Sequence, residues 1–80
     1  MNKDFLKGSW DQIKGRIKSE WGKLTDDDLT RANGDMEELV GIVRKRYGYE
    51  EPEARSKVDV WLSKAEDKIR SLDHSKGEKS

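Results

Sequence analysis

The chain has 80 residues, of which 42% are charged and 31% are hydrophobic, and its 17 basic and 17 acidic residues leave no formal net charge. A chain this short forms one small domain with a modest core. Balanced charge excludes a global attraction to nucleic acid or anionic membranes, and the lack of cysteine excludes disulfides and thiol catalysis. No apolar run near the N-terminus suits a signal peptide or a membrane span, so we expect a cytoplasmic protein.

The first predicted helix covers about residues 10–21. Ser9 and Gln12 have the spacing of a capping box, in which each side chain satisfies a free backbone amide. Gly22 is expected to end the helix in a left-handed conformation. Apolar residues follow at steps of three and four, which places them on one stripe: Trp10, Ile13, Ile17, Trp21 and Leu24.

A short second helix is predicted over about residues 26–32, with Thr25 as its cap and Asn33-Gly34 as its end. Its first turn carries three carboxylates, where the helix dipole favours negative charge. We interpret this acidic triplet as helix stabilisation and predict no metal site, because the spacing of a calcium loop is absent. The triplet consists of Asp26, Asp27 and Asp28.

The third predicted helix covers about residues 36–47, begins after Asp35 and ends at Gly48. It repeats the first helix at a spacing of 26 residues, so that glycines and apolar residues of the two segments correspond. The corresponding pairs include Gly8 with Gly34, Trp10 with Met36, Ile13 with Leu39, Gly15 with Gly41, Ile17 with Val43, Trp21 with Tyr47, and Gly22 with Gly48.

The last predicted helix covers about residues 52–72, with Pro52 in its first turn. Residues 73–80 are polar and aperiodic, which predicts a flexible tail after a single domain over residues 1–72. The pattern therefore predicts an all-α fold, a small antiparallel bundle of three main helices plus one short helix.

The bundle is expected to bury its largest apolar side chains. Replacing Trp61 with alanine is predicted to cost about 3–5 kcal/mol, which is enough to unfold a domain of this size. The predicted core comprises Trp10, Ile13, Ile17, Trp21, Leu39, Val43, Tyr47, Val58 and Trp61.

Three motifs carry a resemblance to a known family: WGKLTDDDLT at residues 21–30, LVG at 39–41 and RYGY at 46–49. In this order they resemble the CsbD-like family of small bacterial general stress proteins, especially its YjbJ-type members. The resemblance covers about residues 1–62, and the chain departs from the pattern beyond them. It implies a helical bundle in the bacterial cytoplasm that is abundant during general stress under alternative sigma-factor control. It implies no established molecular activity and no catalytic residues.

The residues themselves point to no enzyme and no cofactor. The single histidine, His74, lies in the predicted tail without a partner that would orient or activate it. We therefore predict no catalytic, cofactor-binding or metal-binding residue.

Two local basic clusters favour an alternative, a nucleic-acid-associated protein. Acidic residues among and beside them oppose phosphate binding, no readout motif is visible, and the aromatic residues are expected in the core. Nucleic acid is therefore the less favoured partner. The candidate phosphate contacts are Lys14, Lys18, Arg44, Lys45 and Arg46.

Two mid-helix glycines suggest a second interface. Gly15 and Gly41 each lie about 160° from the apolar stripe of their helix, and each costs about 1 kcal/mol relative to alanine. They would let another backbone approach closely, for self-association or for a partner. We favour the simpler explanations, which are inheritance from one duplicated helix or a slight bend around the core.

We predict a non-enzymatic stress-response protein that binds or shields another macromolecule. Two further alternatives are a hydrophilic protectant whose fold hardly matters and a protein that lies on a membrane surface. A membrane is a less favoured partner, because the same amphipathic pattern is needed for ordinary core packing.

Overall fold

A computed structural model describes residues 2–79, with side chains described for residues 3–71. Every regular element in this range is a helix, which confirms the all-α class. No described helix combines the length and the apolar composition needed to cross a bilayer. The five helices are α1 (Asn2–Gly8), α2 (Trp10–Glu20), α3 (Asp26–Ala32), α4 (Met36–Tyr47) and α5 (Glu51–Lys79).

Helix α1 is absent from the sequence prediction of four helices. It packs against α2, α4 and α5, and its Leu6 side chain is fully buried. The segment has seven residues, and its apolar side chains in the core are the buried Leu6 and the partly buried Phe5. These are too few to show the helical period in the sequence. Burial against three other helices stabilises α1 instead.

The caps of α3 and α4 confirm the local predictions. Thr25 and Asp28 form a capping box, with the Thr25 Oγ1 accepting from the Asp28 N–H at 3.1 Å and Asp28 Oδ2 accepting from the Thr25 N–H at 3.0 Å. Asp35 caps α4 by accepting from the amides of Glu37 and Glu38. Asn33 ends α3 in the left-handed conformation.

Two predicted features of α2 are wrong. The Ser9 side chain makes no capping hydrogen bond, because the Gln12 amide donates to the Ser9 carbonyl instead. That carbonyl also accepts from the Ile13 amide, and the Ser9 amide donates to Phe5 O. The backbone hydrogen bonds of α1 therefore continue into α2. Gly22 does not adopt a left-handed conformation. The chain leaves α2 through a turn in which the Leu24 N–H donates to Trp21 O at 3.0 Å.

Gly34 is a position that requires glycine. Its φ is +84°, and a Cβ there would lie 3.2 Å from the Cα of Lys7. The close contact joins the end of α1 to the turn between α3 and α4.

The core contains buried apolar side chains from all five helices. The predicted core members Tyr47 and Trp61 are only partly buried and pack against its edge. The cluster includes the other seven predicted members and also Leu6, Leu24, Leu29, Ala32, Met36, Val40, Ile42, Ala54 and Leu62.

Helix α5 continues to Lys79, so its predicted end at residue 72 is wrong. Flexibility of residues 73–80 stays a prediction, as does the antiparallel order of the helices. Ser80 lies outside the described residues, and the side chain of His74 lies outside the described side chains.

Candidate ligand groove

The acidic triplet of α3 contains one buried member, Asp28, which is only 1% exposed. Arg46 binds it through two hydrogen bonds, from Nε at 2.8 Å and from Nη2 at 2.9 Å. The Arg46 hydrogen bond holds the pKa of the Asp28 carboxyl at about 2, below its ordinary 3.8, although burial acts in the opposite direction. The same pair raises the pKa of Arg46. This ion pair joins the first turn of α3 to the last turn of α4.

The predicted phosphate contacts are largely engaged with carboxylates. Arg46 is bound to Asp28, Lys18 Nζ lies 2.8 Å from an Asp26 oxygen, and Lys14 Nζ lies 3.9 Å from Asp11. Arg44 and Lys45 are exposed in the last turn of α4, where cations stabilise the helix dipole.

Gly15 and Gly41 are both exposed, as their angular positions predicted. A Cβ at either glycine would meet no atom within 4 Å. No close helix approach among the described residues explains them, and the interaction face predicted around them stays a prediction.

Replacing both glycines with alanine is expected to raise the free energy of unfolding by about 1–2 kcal/mol in total. The reason is the better helix propensity of alanine at exposed positions with room for a methyl group. Urea denaturation measures the gain, and an unchanged or lower stability would contradict it. Analytical ultracentrifugation of the same variant tests the interface, since any self-association through these glycines would weaken.

A groove opens where the C-terminal ends of α2 and α4 meet the middle of α5. We call it the aromatic groove. Its volume is about 920 Å³, and four aromatic rings are among its lining residues. The lining residues are Arg16, Ser19, Glu20, Trp21, Tyr47, Tyr49, Ser56, Lys57, Val60, Trp61, Lys64, Ala65 and Lys68.

Helix ends place three of the four rings, and the fourth, that of Trp61, comes from the middle of α5. Gly48 ends α4 with φ +74°, and the reversed chain direction lays the ring of Tyr49 on that of Tyr47, with centroids 5.6 Å apart and an interplanar angle of 9°. Trp21, just after α2, meets Trp61 of α5 with centroids 5.5 Å apart. The Tyr47 hydroxyl accepts from the Lys23 amide at 3.2 Å, which fixes the turn after α2 against α4.

The charges around the rings are predominantly positive. The groove is lined by four cationic side chains and one carboxylate, that of Glu20. Lys57 Nζ lies 5.3 Å from the centroid of Tyr49, in cation–π contact. On other faces of the chain Arg55 and Arg70 pair with carboxylates on α4 and α5. Within the described side chains, Arg16, Lys64 and Lys68 have no such carboxylate partner.

The sequence prediction missed this groove because it assigned the aromatic side chains to the core. A signal was available in α5, where Lys57, Trp61, Lys64 and Lys68 recur at steps of three and four residues. This stripe borders the apolar stripe of the helix. The exposed Val60, at 51%, lies beside it.

The chemistry available in the groove is stacking and charge pairing. Among the described residues, no three histidine, cysteine, aspartate or glutamate side chains are placed to hold a metal ion. The two serines lining the groove, Ser19 and Ser56, have no histidine beside them among its lining residues. The arrangement suits noncovalent binding of an anion that carries planar groups.

The fold and groove define a small all-helical protein with a basic, aromatic surface. The model of the CsbD-like family matches residues 4–56, and this chain belongs to that family. The UPF0337 protein YjbJ of Escherichia coli strain CFT073 is 51% identical over 61 residues, which cover 76% of this chain and 88% of that protein. The YjbJ protein of Escherichia coli strain K12 is 47% identical over 66 residues, covering 82% and 96%.

A UPF0337 protein of Pseudomonas aeruginosa is 50% identical over 58 residues, which cover 72% of this chain and 89% of that protein. No solved structure matches the chain. The match to the family model ends before Lys57, so much of the α5 wall of the groove lies beyond it.

Proposed function

We propose that this protein acts in the general stress response without catalysis, by binding another macromolecule through the aromatic groove. Membership of the CsbD-like family supports the stress context. The observation that carries the binding role is the collection of four cations around partly exposed rings in a chain with no net charge. Such a local concentration gives an electrostatically selective surface without a global field.

A survival assay tests this proposal in Escherichia coli strain K12 lacking its YjbJ protein, which is 47% identical to this chain. Cells carrying the wild-type chain are expected to survive osmotic upshift and prolonged stationary phase better than the deletion strain. The double variant Lys64→Glu, Lys68→Glu is expected to lose that advantage, because it reverses the charge of the α5 wall.

The control is Arg44→Glu, Lys45→Glu, which changes the net charge equally outside the groove. Circular dichroism establishes that both double variants fold. Full protection by the Lys64, Lys68 variant would overturn the binding role, and the absence of any benefit from the wild-type chain would overturn the stress role. Protection by an unfolded variant, Leu62→Asp, would instead favour the hydrophilic protectant.

A further inference from the structure

The partner of the aromatic groove is indicated first by its rings. Tyr47, Tyr49 and Trp61 are only partly buried, although a chain with so few apolar residues gains most by burying its aromatic side chains fully. Partly exposed rings offer surfaces for stacking. Nucleobases stack on such rings with little sequence preference, because every base has a π face.

The spacing of the cations is the second indication. Lys57, Lys64 and Lys68 lie within about 40° of one another around α5, at 100° per residue. The helical rise of 1.5 Å per residue spreads them over about 17 Å. A row of this length follows a chain of phosphates better than it fits one small anion. Arg16 of α2 adds a cation on the opposite wall.

We propose that the aromatic groove binds single-stranded nucleic acid. Phosphates pair with Arg16, Lys64 and Lys68, and bases stack against Trp61 and against the face of Tyr49 that Tyr47 does not cover. The inference rests on the proposed function and names the partner of that same site. Apart from Arg16, which lies between Lys14 and Lys18 in the first basic cluster, it uses residues outside the clusters that the sequence singles out, three members of which are engaged with carboxylates.

Other anionic partners match the groove less well. Bases in a duplex are already stacked on both faces, so they must be unstacked before they reach a ring. A bilayer surface supplies anionic headgroups but no planar group to stack on Trp61 and the two tyrosines, which line the groove. An acidic protein segment supplies charge for the lysines but no planar group for the rings.

Fluorescence anisotropy with a labelled oligothymidylate of about 20 nucleotides tests the inference at low salt, using the full-length protein. Saturable binding is expected, with an affinity that falls as salt is added, because phosphate contacts release counterions. The Lys64→Glu, Lys68→Glu variant is expected to bind at least about tenfold more weakly and with a flatter salt dependence. Arg44→Glu, Lys45→Glu is expected to stay within about threefold of the wild type, because its charges lie outside the groove.

A second pair of variants tests stacking separately from charge. Tyr49→Ala is expected to weaken oligonucleotide binding at least about fivefold, whereas Tyr49→Phe retains the ring and binds like the wild type. Inorganic polyphosphate, which has no bases, is expected to compete more weakly than unlabelled oligothymidylate at equal charge. Far-ultraviolet circular dichroism shows whether the variants retain the helical fold.

Several results would overturn the inference. These are no saturable binding by the wild type, equal losses in the two charge-reversal variants, and an unchanged affinity in folded Tyr49→Ala. Binding to anionic vesicles in place of the oligonucleotide would assign the groove to a membrane. A last combination separates the two proposals. If the wild type does not bind the oligonucleotide, while Lys64→Glu, Lys68→Glu still removes the survival advantage under stress, this inference fails and the proposed function stands.

Discussion

Replacing Trp21 with alanine is expected to unfold the domain, whereas the same replacement at Trp61 leaves it folded. The two rings touch, with centroids 5.5 Å apart, but Trp21 is 6% exposed within the core and Trp61 lies at its edge. Truncating a buried tryptophan costs about 3–5 kcal/mol, which is comparable to the whole stability of a small domain. Trp61 already has part of its ring in water, so its truncation removes less buried area and costs less than about 3 kcal/mol.

Thermal unfolding followed by circular dichroism measures both variants. The expected outcome revises the effect predicted for Trp61 from sequence alone, which assumed full burial. Equal destabilisation by the two substitutions would show that Trp61 contributes to the core as much as Trp21 does. It would also weaken the argument that the Trp61 ring is available to a ligand.

Asp28→Asn is expected to lower the free energy of unfolding by about 2 kcal/mol at neutral pH. The substitution preserves the size of the side chain but removes the charge that accepts two hydrogen bonds from Arg46. It also places an amide nitrogen, which cannot accept, beside either the guanidinium or the Thr25 amide. The Arg46 side chain is 39% exposed, so water partly compensates the arginine that remains.

The effect of Asp28→Asn is expected to depend on pH. The pKa of Asp28 is about 2 in the folded protein against an ordinary 3.8, so the unfolded chain binds more protons between these values. The contribution of the carboxylate is therefore fully present above about pH 4 and is lost as the pH falls towards 2. Urea titrations across this range are expected to show the wild type and the variant converging.

Asp26→Asn is the matched control for this experiment. Asp26 lies on the same helix and pairs with Lys18 at 2.8 Å, but its side chain is 85% exposed. An exposed ion pair contributes little, so the control is expected to resemble the wild type at every pH. A constant difference between wild type and Asp28→Asn from pH 2 to pH 7 would contradict the buried ion pair.

Two long-range features of this protein, the Asp28–Arg46 ion pair and the groove, were missed by the sequence prediction for the same reason. Asp28 and Arg46 are separated by 18 residues, and the acid is explained locally as a helix-start carboxylate. Its capping bond to Thr25 confirms that local role. Because the local role already explains the residue, the sequence gives no sign of its ion pair with Arg46. The groove needs Trp21 and Tyr47 from two helix ends and Trp61 from the middle of α5, and their apolar spacing is typical of a core.

The sequence by itself determined the extents of α3 and α4, the extent of α2 to within one residue, and the family to which the chain belongs. Helix starts and ends depend on side chains within a few residues of one another, such as Thr25, Asp35 and Gly48, so their signals are local. Only the tertiary structure decided that α1 is a helix, that Asp28 is a buried ion-pair partner and that Trp61 borders a groove. Those outcomes depend on burial, which is set by contacts between residues far apart in the chain. Such contacts produce no periodic pattern of apolar residues in the sequence.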